Sequence, residues 1–271
     1  MSTISAKDVI VRYGHETILH GVDFLARAGE VTVVAGPNGS GKSTLVKAVS
    51  GEVASSGAIA INGRALGAYE GWQLAAQRGV LAQETTVAFP FTAAEIVGLG
   101  VTAGATRVAR PAELIEMALD RVGLAGFGAR RIQTLSGGER QRVQLARVLC
   151  QIWEPLSAEG PRWLIMDEPV ASLDIRHQIG LMELARDYAR AGGGVVAVMH
   201  DLNLSAMYGD HVVLMKSGRV AAAGAPEEVL RPDILSAVFA CPLHPNRVPD
   251  RGVFVLPQSA LAQPALALAA E

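Results

Sequence analysis

Nine consecutive residues, Gly36-Pro37-Asn38-Gly39-Ser40-Gly41-Lys42-Ser43-Thr44, fit the spacing G-x-x-x-x-G-K-[ST]. Glycines at these places let backbone N–H groups turn inward around a phosphate chain, and a helix starting there points its positive end at the same spot. The lysine can reach the outer phosphates, and the Ser43 hydroxyl can ligate a divalent cation. A second run, Trp163-Leu164-Ile165-Met166-Asp167-Glu168-Pro169, is an apolar strand ending in two carboxylates. Buried strands carry no charge without cause, so both acids are expected at the exposed carboxyl edge of a sheet, where ligands of open α/β folds bind. There Asp167 would hold the cation and Glu168 would orient, or take a proton from, an attacking water. A third run, Leu135-Ser136-Gly137-Gly138-Glu139-Arg140-Gln141, has capping-box spacing from Ser136 to Glu139, which alone would explain a helix start. It leaves Gly137 and Gly138 unexplained, because glycine is costly in a first turn and also bares a ready anion site.

The surrounding pattern supplies elements to hold these groups. Val9, Val11 and Tyr13 alternate as a strand, Gly14-His15 offers a turn, and Ile18 to Phe24 continues the pairing. Val31 to Ala35 leads through the glycines into a helix-compatible stretch, Ser43 to Val49. Ile59-Ala60-Ile61 before Asn62-Gly63 signals a hairpin, and Gly79 to Ala82 a buried strand that delivers Gln83. From about Thr92 the period becomes helical: Thr92 and Glu95 form a capping box, and Pro111 opens a helix with Leu114, Ile115, Ala118, Leu119 and Val122 inward, which Gly123 can end. A third helix follows Ser136 with Val143, Ala146 and Leu149 inward. Strands resume at Trp163–Met166, Val195–Met199 and His211–Met215, the last turning through Lys216-Ser217-Gly218 into Arg219-Val220-Ala221. Alternating strands and helices argue a parallel α/β layer with a helical block inserted.

Of 271 residues, 50% are hydrophobic and 18% charged, ample for a packed core. A net charge of −2 gives no electrostatic case for nucleic acid as a partner. No uninterrupted apolar run reaches the roughly 18 residues of a bilayer span, and the start MSTISAKDVI has no basic stretch before an apolar one. Cys150 and Cys241, far apart and without CxxC spacing, read as small buried side chains in a reducing compartment. Six histidines form no HExxH-like pair, so no structural transition-metal site is expected.

LSGGERQ between GPNGSGKST and WLIMDEP resembles the ATP-binding cassette (ABC) ATPases, over essentially the whole chain to about Gly224. The resemblance implies an α/β fold with a P-loop NTPase (RecA-like) core, an antiparallel β subdomain and an inserted α-helical subdomain. The cassette would cover 1–240, with the helical part roughly 88–150, followed by a C-terminal extension, 241–271, whose Ala-, Leu- and Pro-rich end is expected to fray. It further implies ATP and Mg²⁺ as ligands. Tyr13 would stack on adenine, Gly36 to Thr44 would cradle the phosphates, and Ser43, Gln83 and Asp167 would hold the metal. Glu168 would be catalytic, with Gln83 sensing the membrane partner and His200 contacting the γ-phosphate. Ser136, Gly137 and Gly138 would reach the ATP of a second chain packed head to tail, with Ala171 to Asp174 as the dimer-contact loop and Asp174 beside the nucleotide.

Two segments, Val87 to Gly100 and the lengthened link Cys150 to Pro155 through Gly160 to Arg162, resemble the haem (hemin) importers within that family. The implied partners are a homodimeric mate, two copies of a separate transmembrane permease and, indirectly, a periplasmic substrate-binding protein, at the cytoplasmic face of the inner membrane. Cassettes for iron-siderophore or cobalamin import, a soluble ABC ATPase and an exporter cassette are the alternatives. Val170 stands where the family often has threonine, and Ser40 where alanine is commoner; neither is expected to cost activity.

Overall fold

The computed structural model describes residues 2–83, 89–104, 110–248 and 250–262. Val87 and Ala88, part of the segment read as importer-like, and the tail past 262 lie outside them. Strands β1 (Thr3–Tyr13) and β2 (Glu16–Arg27) pair antiparallel. They are followed by β3 (Val31–Ala35), α1 (Lys42–Val49), β4 (Ser56–Ile61) and β5 (Arg64–Ala65). Positive φ at Asn62 and Gly63, +52° and +78°, makes the β4–β5 turn, as the Asn-Gly pair requires. Next come α2 (Gly71–Gln77), β6 (Arg78–Leu81), and three helices, α3 (Ala93–Ala103), α4 (Pro111–Arg121) and α5 (Gly137–Gln151). A short hairpin of β7 (Leu156–Ser157) and β8 (Gly160–Pro161) precedes β9 (Trp163–Asp167). Then follow α6 (Ile175–Arg190), β10 (Gly194–Val198), α7 (Leu202–Tyr208), β11 (His211–Lys216), β12 (Arg219–Gly224), α8 (Pro226–Val229) and α9 (Pro232–Phe239), with a short 3₁₀ turn at Pro257–Ala262 beyond them.

Two main sheets result. One, in the order β2-β1-β4-β5, is antiparallel. The other, β12-β11-β3-β10-β9-β6, is parallel except for the edge strand β12. Every residue of β3, β9 and β10 is buried, as expected of strands covered on both faces. Pleating divides them between two cores: Val33, Met166 and Ala197 pack with the helices, whereas Val34, Ile165 and Val198 face α1 and the antiparallel sheet. Register sets the site, since Val198 lies beside both Asp167 and Val34, and Leu81 beside Met166. The residues just past these four strand ends therefore share one edge.

The lengthened link closes on itself and is fastened from both sides. Asn62 Nδ2 donates to the Pro161 carbonyl at 2.8 Å, Trp163 Nε1 donates to Asn62 Oδ1 at 3.1 Å, and Arg162 Nε donates to the Ala76 carbonyl at 3.1 Å. In the helical block α3 and α5 approach closely enough that a Cβ on Gly100 would lie 1.9 Å from the Arg147 carbonyl oxygen. Gly100→Ala must push two backbones apart. It is expected to cost about 1–3 kcal/mol, the usual penalty of overpacking, and to lower the melting temperature of the chain by several degrees. Thermal unfolding of the purified variant checks this.

One cysteine departs from expectation. Cys150 is buried, with burial pushing its thiol up to about 12, but Cys241 is exposed beyond α9, where the chain has left the sheet core. Among the described residues no helix is long and apolar enough to cross a membrane.

Candidate active site

The four strand ends open on a cleft of about 550 Å³, lined by Asn38, Gly39, Gly41, Lys42, Ser43 and Thr44 on one side and Gln83, Glu168 and His200 on the other. The loop after β3 has little freedom. Gly36 sits at φ +146°, and a Cβ there would lie 2.2 Å from the Met215 carbonyl oxygen. Gly41 caps α1 in the left-handed region at φ +97°. The first-turn amides of α1 have no intrahelical acceptors and stand at this cleft, the arrangement an anion needs.

Lys42 is 5% exposed, and its ammonium donates to the Gly36 and Pro37 carbonyls at 3.0 and 2.9 Å. Burial lowers its pKa, while the nearby Glu168 and Asp167 charges oppose that shift. These contacts curl the loop around its own lysine, so the cradle keeps its shape and offers a cation at its floor.

The two acids fare differently. Both were expected at an exposed edge, yet Asp167 is only 5% exposed, because it is still the last residue of β9 and pairs with Val198. It accepts a hydrogen bond from Ser43 Oγ at 3.0 Å; burial raises its pKa, and the Ser43 bond works the other way. Glu168, one residue on, breaks out of the sheet through a positive φ of +52°. Its carboxylate meets both flanking loops: Gln83 Nε2 donates to one oxygen at 2.9 Å, and His200 Nε2 lies 2.5 Å from the other. Three residues read separately from three strand ends thus meet at one carboxylate. Glu16 and Ile18 of β2 also line the cleft, and nothing in an ordinary strand pattern marked them.

Other expected residues stand elsewhere in this chain. Tyr13, half-exposed at the end of β1, and Ser136 to Gly138 are not among the residues lining the cleft. Ser136 and Glu139 do form the capping box, with the Ser136 N–H donating to Glu139 at 2.6 Å and holding that carboxyl below its ordinary range. Gly138 has a local reason, because a Cβ would crowd Leu173 Cδ2 at 3.2 Å; around Gly137 there is open space. Asp174 caps α6, accepting from the His177 N–H at 2.9 Å with the His177 ring 2.8 Å away.

Residues 19–171 match the family model described as ABC transporter, more than half of the chain. The chain belongs to the ABC transporter family. Accordingly the protein is an ATPase. It is 51% identical over 259 residues to the hemin import ATP-binding protein HmuV of Rhizobium meliloti (strain 1021), covering 95% of this chain and 99% of that protein. The protein of the same description from Rhizobium johnstonii is 54% identical over 263 residues, covering 96% of this chain and all of that one. Among solved structures, an ATP-binding subunit of an ABC transporter superposes with a TM-score of 0.74 at 26% identity, covering 83% of this chain and 91% of that one.

Proposed function

We propose that this cassette hydrolyses ATP to drive hemin import through a separate membrane permease. The observation that carries the reading is identity above 50% over nearly the full length with two hemin import ATP-binding proteins. The chain would work as a head-to-tail pair on two permease copies at the cytoplasmic face of the inner membrane, with a periplasmic binding protein delivering the cargo. In that pairing Ser136 to Gly138 of each copy cover the ATP held by the other's Gly36–Thr44 loop, which gives the open space around Gly137 an occupant. Tyr13 would meet the adenine, and Asp174 would lie at the interface between the copies.

Ser43, Asp167 and Gln83 would hold Mg²⁺, and oxygen donors already 3.0 Å apart at Ser43 and Asp167 suit a hard cation. Bound there, the ion supplies charge neutralisation to the outer phosphates. Lys42 reaches the same phosphates. Glu168 takes the proton of the attacking water, while Gln83 and His200, one at each carboxylate oxygen, hold it in orientation. His200 would turn from the carboxylate to contact the γ-phosphate.

Deleting the chain from its own cell tests the cargo. Growth with hemin as sole iron source is expected to fail while growth on siderophore iron and cobalamin-dependent growth continue. Unimpaired hemin growth, or loss of one of the others instead, would overturn the assignment.

A further inference from the structure

The loop following Glu168, from Pro169 to Asp174, is held by side chains of two helices, and only one of them begins with Ser136 to Gly138. From that helix, α5, Gln141 Nε2 donates to the Pro169 carbonyl at 2.7 Å, and Gln141 Oε1 accepts from the Ser172 hydroxyl. From α6, Gln178 Nε2 donates to the Leu173 carbonyl at 2.9 Å and the Val170 carbonyl at 3.2 Å. Gly138 packs under the same loop, its missing Cβ leaving room for Leu173.

We infer that Gln141 is a positioning residue whose two bonds tie the Ser136–Gly138 helix start to the backbone that aims Glu168, so that the state of one ATP site is felt at the carboxylate of the other. The inference rests on the head-to-tail pairing above. Under it, Ser136 to Gly138 of one copy grip the nucleotide on the partner's loop, while Glu168 of that copy serves its own. Gln141 stands in the second turn of α5, about one turn from the Ser136–Gly138 start. The receiving end is Pro169, the residue directly after Glu168, and Glu168 itself sits at a left-handed φ of +52°. Gln178 grips the loop without any link to Ser136, which makes it the natural control.

The test measures steady-state ATP hydrolysis by full-length Gln141→Ala, Ser172→Ala and Gln178→Ala. Gln141→Ala is expected to lower kcat about tenfold, the equivalent of about 1.4 kcal/mol in the barrier, with KM for ATP and melting temperature unchanged. Its ATP-dependence should also flatten from sigmoidal towards a hyperbola. Ser172→Ala, which loses only one of the two bonds, should shift the same readouts less. Gln178→Ala should lower kcat with the steepness kept. A Gln141→Ala enzyme that turns over like the parent, one whose losses match Gln178→Ala in every readout, or a parent curve already hyperbolic would overturn the tie. Chromatography of Glu168→Gln with ATP keeps the two ideas apart. No dimer there refutes the pairing itself, whereas a dimer with an unaltered Gln141→Ala refutes only the tie.

Discussion

Lys42→Ala is expected to weaken ATP binding by about 10- to 100-fold, read by calorimetric titration with the nucleotide. Each hydrogen bond to a charged group contributes about 1.5–3 kcal/mol, and about 1.4 kcal/mol is a tenfold change in affinity. Here the ammonium is buried at the floor of the cleft, so bulk water cannot stand in for it. The same substitution removes both bonds that curl the loop, to Gly36 and Pro37, so the cradle itself should slacken. Unchanged affinity would mean that the triphosphate does not lie where the loop places it.

Glu168→Gln should leave ATP affinity intact and reduce turnover by about 10²–10⁴, the range typical of lost general acid–base catalysis. The amide matches the carboxylate in shape and can keep partners in Gln83 and His200, but it cannot take a proton from water. With binding intact and cleavage stopped, the ATP-bound pair should persist and elute as a dimer. Turnover near that of the parent would remove Glu168 from the reaction.

Much of this site was legible in the sequence because its chemistry is local. Gly36 to Thr44 is one continuous stretch, a loop running into the first turn of α1, whose expected chemistry is written in its own residue types, and the apolar runs at Val31, Trp163 and Val195 gave three adjacent strands. The meeting of Gln83, Glu168 and His200 was legible only through family resemblance, because it depends on strand order and register. The depth of Asp167 was misjudged for a related reason: whether a strand's last residue is in or out is decided by its neighbour, here Val198. The β7–β8 hairpin went unread because it is short and held by distant groups such as Asn62, and α2 because it is a short helix whose start signal, Glu70 with Gln73, is a local one that was overlooked. Cys241 was assigned to the interior on residue type alone, and only the course of the chain past α9 could correct that.

The left-handed backbone at Glu168 has a thermodynamic consequence. A side-chain-bearing residue in that conformation forfeits about 1–2 kcal/mol that glycine would not. The fold tolerates this cost at the residue proposed to take the proton, and the rest of the two cores must be sound enough to offset it.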